Sequence, residues 1–144
     1  MLKSQYRPVR SMAVMLALFL AFIPVCYSAA QAEDDSLLDG KTFVGPTGEK
    51  GQEAYASETL EFRNGKLYSV ECARWGFGDG VVTTRQEGDA IHFEAETFSK
   101  EYGKMVWRGV VRADIIEATY HWHKKGWFVS TVLDYWFNGT RRPD

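Results

Sequence analysis

The dipeptide Asn64-Gly65 lies between two short runs in which apolar and polar residues alternate, and that combination commits the local chain to a tight antiparallel hairpin. Asn and Gly accept the two positive φ angles of a type I′ turn, whose twist matches that of the flanking strands. A two-residue loop sets Arg63 opposite Lys66 and Phe62 opposite Leu67. Because strand side chains alternate between faces, Leu60, Phe62, Leu67 and Ser69 then share one face, in strands read over residues 59–63 and 66–72. The same period of two recurs along the chain, interrupted by glycine-bearing turns, and no stretch carries an amphipathic helical pattern.

Downstream, Gly76-Phe77-Gly78-Asp79-Gly80 reads as a glycine-rich corner, residues 81–86 as the next strand and Gly88-Asp89 as its turn. In residues 90–98, Ile91, Phe93 and Ala95 oppose His92, Glu94 and Glu96. After a turn at Tyr102-Gly103, residues 105–112 set Met105, Trp107, Gly109 and Val111 against Arg108 and Arg112. Beyond Ala113-Asp114, residues 115–123 set Ile116, Ala118, Tyr120 and Trp122 against Glu117, Thr119, His121 and His123. Lys124-Lys125-Gly126 leads into a final strand over residues 127–137 that is apolar on both sides. Directing Leu133 and Tyr135 inward avoids burying Asp134 without a partner. A first strand around residues 42–44 and one ahead of Thr59 bring the total to seven or eight. The expected fold is an all-β, antiparallel, up-and-down β-barrel of about eight strands. Closure removes exposed edges, and an aromatic content of 15% supplies the bulk to fill an interior.

The N-terminus belongs to a different regime. Lys3, Arg7 and Arg10 precede an unbroken apolar run over residues 12–23, which is broken by Pro24 and followed by Ala30-Gln31-Ala32. A basic start, an apolar core and a small-x-small site are the marks of a secretory signal peptide. The expected organisation is therefore a signal peptide over residues 1–32, cleaved before Glu33, and one barrel domain over residues 33–144. The apolar run is short of the roughly 20 residues a membrane anchor needs, and Val25 stands where a lipoprotein signal ending at Cys26 wants a small residue. The processed chain is expected in the periplasm or the extracellular medium, without stable membrane insertion.

Cleavage would take three of the seventeen basic residues and none of the nineteen acidic ones, leaving a net charge of −5. Nucleic acid and anionic membrane surfaces are then poor partners. It would also leave Cys72 as the one cysteine of the processed chain, so no internal disulfide could form. A lone Cys72 is either a buried small hydrophobe or a reactive or intermolecularly paired thiol.

Several of these residues carry a resemblance. Leu38-x-Gly40-x-x-Phe43, Phe62-x-Asn64-Gly65-x-Leu67-x-Ser69-x-x-Cys72, Gly76-Phe77, Trp107-x-Gly109 and the closing Arg141-Arg142 make the chain from residue 38 onward similar to small secreted lipocalin-like (calycin) barrels. Lipocalins typically open with Gly-x-Trp and pack an arginine from the barrel's end on that tryptophan; here the aromatic is Phe43, one position late. The resemblance implies a closed eight-stranded barrel whose open end admits a small hydrophobic molecule.

Residue chemistry offers three functional readings. The first is a ligand pocket formed by the inward set Phe62, Leu67, Phe93, Trp107, Tyr120, Trp122 and Tyr135, with Ser69, Ala95, Gly109 and Ala118 as small neighbours that could leave space. The second is a metal site at His121 and His123, whose side chains stand on one side of a strand about 6.6 Å apart. His92, about 10 Å away across the sheet, is too far to complete it. The third is a protein-binding or inhibitory module using residues 76–80 and Trp127-Phe128. Catalysis has little footing: there is no Gly-x-Ser-x-Gly elbow, and Glu94 and Glu96 read as a solvated face. Asn138-Gly139-Thr140 matches a glycosylation acceptor and reads as a turn. The leading expectation is a monomeric, non-catalytic barrel without a cofactor, holding a small apolar or amphipathic molecule.

Overall fold

A computed structural model of the chain describes residues 37–124, 126 and 131–143. The expected signal-peptide region, the acidic segment of residues 33–36 and the Trp127-Phe128 pair lie outside the described residues. Eight strands run in chain order: β1 (Thr42–Glu49), β2 (Ala56–Arg63), β3 (Lys66–Ser69), β4 (Gly80–Glu87), β5 (Ala90–Ser99), β6 (Gly103–Arg112), β7 (Ile115–Lys124) and β8 (Thr131–Arg141). Each pairs antiparallel with the next, and β8 returns to β1, closing an up-and-down barrel. Among the described residues no helix is long and apolar enough to cross a membrane.

Local chemistry accounts for the register. Asn64 and Gly65 take φ of +51° and +69°, and Arg63 faces Lys66 while Phe62 faces Leu67, as the hairpin chemistry requires. Leu60, Phe62, Leu67 and Ser69 are all buried. The alternation in β5, β6 and β7 sorts as expected, with Phe93, Ala95, Met105, Trp107, Val111, Ile116, Ala118 and Tyr120 inside. In β8, Tyr135 and Phe137 point inward and Asp134 outward.

Three expectations need correction. The run read as strand through Cys72 stops at Ser69, and a single helical turn, α1 (Val70–Ala73), follows. Ser69 caps it by accepting from the Cys72 amide, an N-cap geometry that competes with continued extension. The first strand extends to Glu49, well past Val44. Asn138-Gly139-Thr140 lies within β8 and not in a turn, with Asn138 paired to Glu117.

The two ends of the barrel differ. At one end, the turn over residues 37–40 plugs the opening with Leu38, which is almost fully buried, and is tied in by the Gly40 amide donating to the Phe62 carbonyl and the Gly65 amide donating to Asp39. Phe43, Phe62 and Phe93 meet beneath it edge to face, with centroids 6.0 and 5.2 Å apart. Arg141 is the cross-strand partner of Phe43 there. The other end is ringed by the β1–β2 loop, α1 with the glycine-rich corner, and the β5–β6 turn, and among the described residues it is open.

Candidate functional site

At the open end the barrel contains a cavity of about 510 Å³. Tyr120 and Tyr135 line it and continue a row of rings set by strand register: Trp107 of the packed core, Tyr120 and Tyr135 are directly opposite one another on β6, β7 and β8. They stack with centroids 4.2 and 4.8 Å apart and planes inclined by 25° and 9°. The Trp107 indole donates to Thr97. Thr47 donates its one hydroxyl proton to the Trp136 carbonyl, so the Tyr120 hydroxyl, 3.0 Å away, donates to Thr47. Burial raises the Tyr120 phenol well above its ordinary range, and pushes Tyr135 up to about 12 with help from Tyr55 and Glu49. Both phenols are therefore neutral hydrogen-bonding groups at physiological pH.

The walls come from the loops. Trp75 and Tyr102 meet edge to face at 5.5 Å, and the Trp122 indole donates to the Tyr102 carbonyl, fixing that ring at the mouth. Phe77, from the glycine-rich corner, is buried in the wall, which removes it as an exposed contact point for a protein partner. Arg74 and Lys124 are charged groups of the lining; Lys124 Nζ stands 5.3 Å from the Trp122 ring centroid.

Beside the cavity sits a carboxylate that the apolar pattern did not announce. Glu58 is only 2% exposed, inside the barrel. Its Oε1 accepts from the Thr59 and Glu71 amides and its Oε2 from the Ser69 hydroxyl and, at 3.5 Å, the Cys72 thiol. Four donors from β2, β3 and α1 thus converge on one buried charge, which anchors α1 against the wall. Burial, reinforced by the Glu58 carboxylate, pushes the Cys72 thiol up to about 12. At neutral pH the thiol is protonated and donating, which is the opposite of a reactive thiolate. The signal was present: stepping back two residues from Leu60 puts Glu58 on the inward face.

Of the seven residues expected around a pocket, Tyr120, Trp122 and Tyr135 line the cavity. Phe62, Leu67, Phe93 and Trp107 do not; they are nearly or fully buried in the packed core. The small neighbours leave no space there, because each sits opposite a large partner that occupies it: Ala95 faces Trp107, Gly109 faces Phe93 and Ala118 faces Phe137. A Cβ on Gly109 would come within 2.5 Å of the Phe93 ring. Ser69 is likewise committed, to Glu58.

His121 and His123 share the outer face, where His121 Nδ1 lies 2.6 Å from Asp134 Oδ1. His121 holds the Asp134 carboxyl below the usual range. Among the described residues no three His, Cys, Asp or Glu side chains are grouped to hold a metal ion. His92 is paired with Glu87 at 3.1 Å. Glu94 and Glu96 are paired with Arg108 and Lys104, each at 2.8 Å. A depression of about 500 Å³ on the outer face of β4, β5 and β6 is more open than the interior cavity, and the Glu94–Arg108 pair lies in its lining.

No family model matches this chain, and no curated protein or solved structure matches it significantly.

Proposed function

We propose that this is an exported, monomeric, lipocalin-like barrel that holds a small apolar or amphipathic molecule in its interior and performs no catalysis. The observation that carries the reading is the asymmetry of the barrel: one end is stoppered by Leu38, and the other opens into an aromatic cavity of about 510 Å³. That volume is within the range of small-molecule sites. Pairing of Phe43 with Arg141 supports the lipocalin-like reading, since it brings an arginine of the last strand beside the first strand's aromatic. The basic start, apolar run and Ala30-Gln31-Ala32 support export with cleavage before Glu33.

The test is to express the full chain, purify the form the cell leaves, and record its native mass. Processing at Ala32 predicts an N-terminus at Glu33. A retained small molecule, or uptake of the neutral dye phenylnaphthylamine with quenching of tryptophan fluorescence, is the expected result. Met105→Trp, which fills the cavity from its wall, should remove dye uptake while the thermal transition persists. A clean ligand-free mass together with no dye uptake by folded wild-type protein would contradict the reading.

A further inference from the structure

The cavity's walls favour one class of guest. Seven of the described residues around it are aromatic, and five of them, Trp75, Tyr102, Tyr120, Trp122 and Tyr135, are engaged in ring contacts or an indole hydrogen bond. Tyr120 and Tyr135 stack on one another with Trp107 of the core behind Tyr120, Trp75 meets Tyr102 edge to face, and Trp122 is pinned by its indole bond to the Tyr102 carbonyl. Rigid ring faces and edges reward a guest with flat faces and polarised edges, through offset stacking and edge contacts. A flexible alkyl chain would gain only buried area and lose rotamer freedom.

Charge at the mouth selects further. The charged residues of the described lining, Arg74 and Lys124, are both cationic, on a chain whose net charge is negative. Arg74 is occupied: its Nε donates to the Glu71 carbonyl and its guanidinium pairs with the Glu71 carboxylate. Lys124 has no carboxylate partner among the described residues, and its ammonium is held over the Trp122 ring at the rim. The buried Glu58 carboxylate, behind the lining residue Cys72, accepts from four donors and repels an anion from that inner part of the wall. Attraction at the rim and repulsion below orient an anionic guest with its charge outward.

We infer that the cavity takes planar aromatic anions, with the ring system between the aromatic walls and the anionic group at Lys124; this rests on the ligand-binding reading and specifies its ligand class. Three probes test it on the purified full-chain product: anilinonaphthalene sulfonate, the related but neutral phenylnaphthylamine, and the aliphatic anion decanoate. The sulfonate should bind about tenfold tighter than either of the others. Lys124→Glu should weaken sulfonate binding by about tenfold while the neutral dye changes by less than about twofold, and Lys124→Arg should restore the preference. Equal binding of sulfonate and neutral dye, tighter binding of decanoate, or equal losses for both dyes in Lys124→Glu would overturn the ligand class and leave the pocket standing. Binding of none of the three by folded protein would overturn the pocket itself.

Discussion

The plugged and open ends of this barrel are built from the same residue types, aromatic rings on alternating strand positions, yet one is solid and the other hollow. The difference lies in what each ring finds across the strand. Toward the plugged end, three large residues of β5, β7 and β8 face small ones: Phe93 faces Gly109, Phe137 faces Ala118 and Ile116 faces Gly139, so these side chains reach over their partners and fill the centre. Toward the open end, large residues face large ones: Tyr120 faces Tyr135, and Trp122 lies between Met105 and Leu133. Bulk beside bulk stands along the wall as a stack, and the centre stays empty. Pairing of sizes, more than aromatic content, decides where an eight-stranded barrel keeps space.

This contrast can be broken experimentally. The largest effect is expected at the plugged end, where Phe62→Ala should cost about 3–5 kcal/mol in denaturant unfolding and leave dye uptake by the surviving folded protein unchanged. Next comes the junction between the two regions. Glu58→Gln replaces an acceptor-only carboxylate with an amide that carries donors of its own, leaving a bond to Ser69, Cys72 or a backbone amide unmade, at about 1–3 kcal/mol. Its signature should be loss of protection at the Glu71 amide by hydrogen exchange.

Alkaline pH probes the same junction. Burial pushes the Cys72 thiol up to about 12 from its ordinary 9.0, and the Tyr135 phenol up to about 12 from 10.0. Raised values mean the stabilisation is complete below pH 9 and is lost as pH rises through 12. Stability measured across that window should fall, and Cys72→Ala should delay the onset of the fall toward the tyrosine range.

Smaller again is Tyr120→Phe, which removes the hydroxyl bond to Thr47 and should cost about 1 kcal/mol. Smallest is Trp75→Ala at the open rim, where the side chain is about half exposed. It should change stability by no more than about 0.5 kcal/mol while weakening dye uptake. The two ends would then separate cleanly, one sensitive in stability and the other in binding.

Much of the barrel was legible because its signals are local. Asn64-Gly65 dictates its own hairpin register, and alternation places Phe93, Trp107 and Tyr120 inside before any tertiary contact is known. The site was less legible because it depends on long-range relations. That Phe93 occupies the space above Gly109 follows from β5–β6 register combined with ring size, and composition alone read that glycine as a gap. The extended reading through Cys72 missed α1 because the turn is set by Ser69 acting together with Glu58, whose partners come from β2, β3 and α1. Glu58 itself contradicts the rule that acidic side chains face water, and only strict adherence to the strand phase would have placed it inside. Trp136, whose indole donates to the Glu49 and Gln52 carbonyls and fastens the β1–β2 loop at the mouth, gave no local signal either.

The most direct test of the central claim is a two-dimensional NMR titration of the protein with phenylnaphthylamine, read residue by residue. The hollow-end account predicts shifts at the Trp122 indole, Tyr102 and Tyr135, with Phe43, Phe62 and Phe93 unmoved. Shifts concentrated at those three phenylalanines or at the outer Glu94–Arg108 face, or no shifts at all, would contradict it.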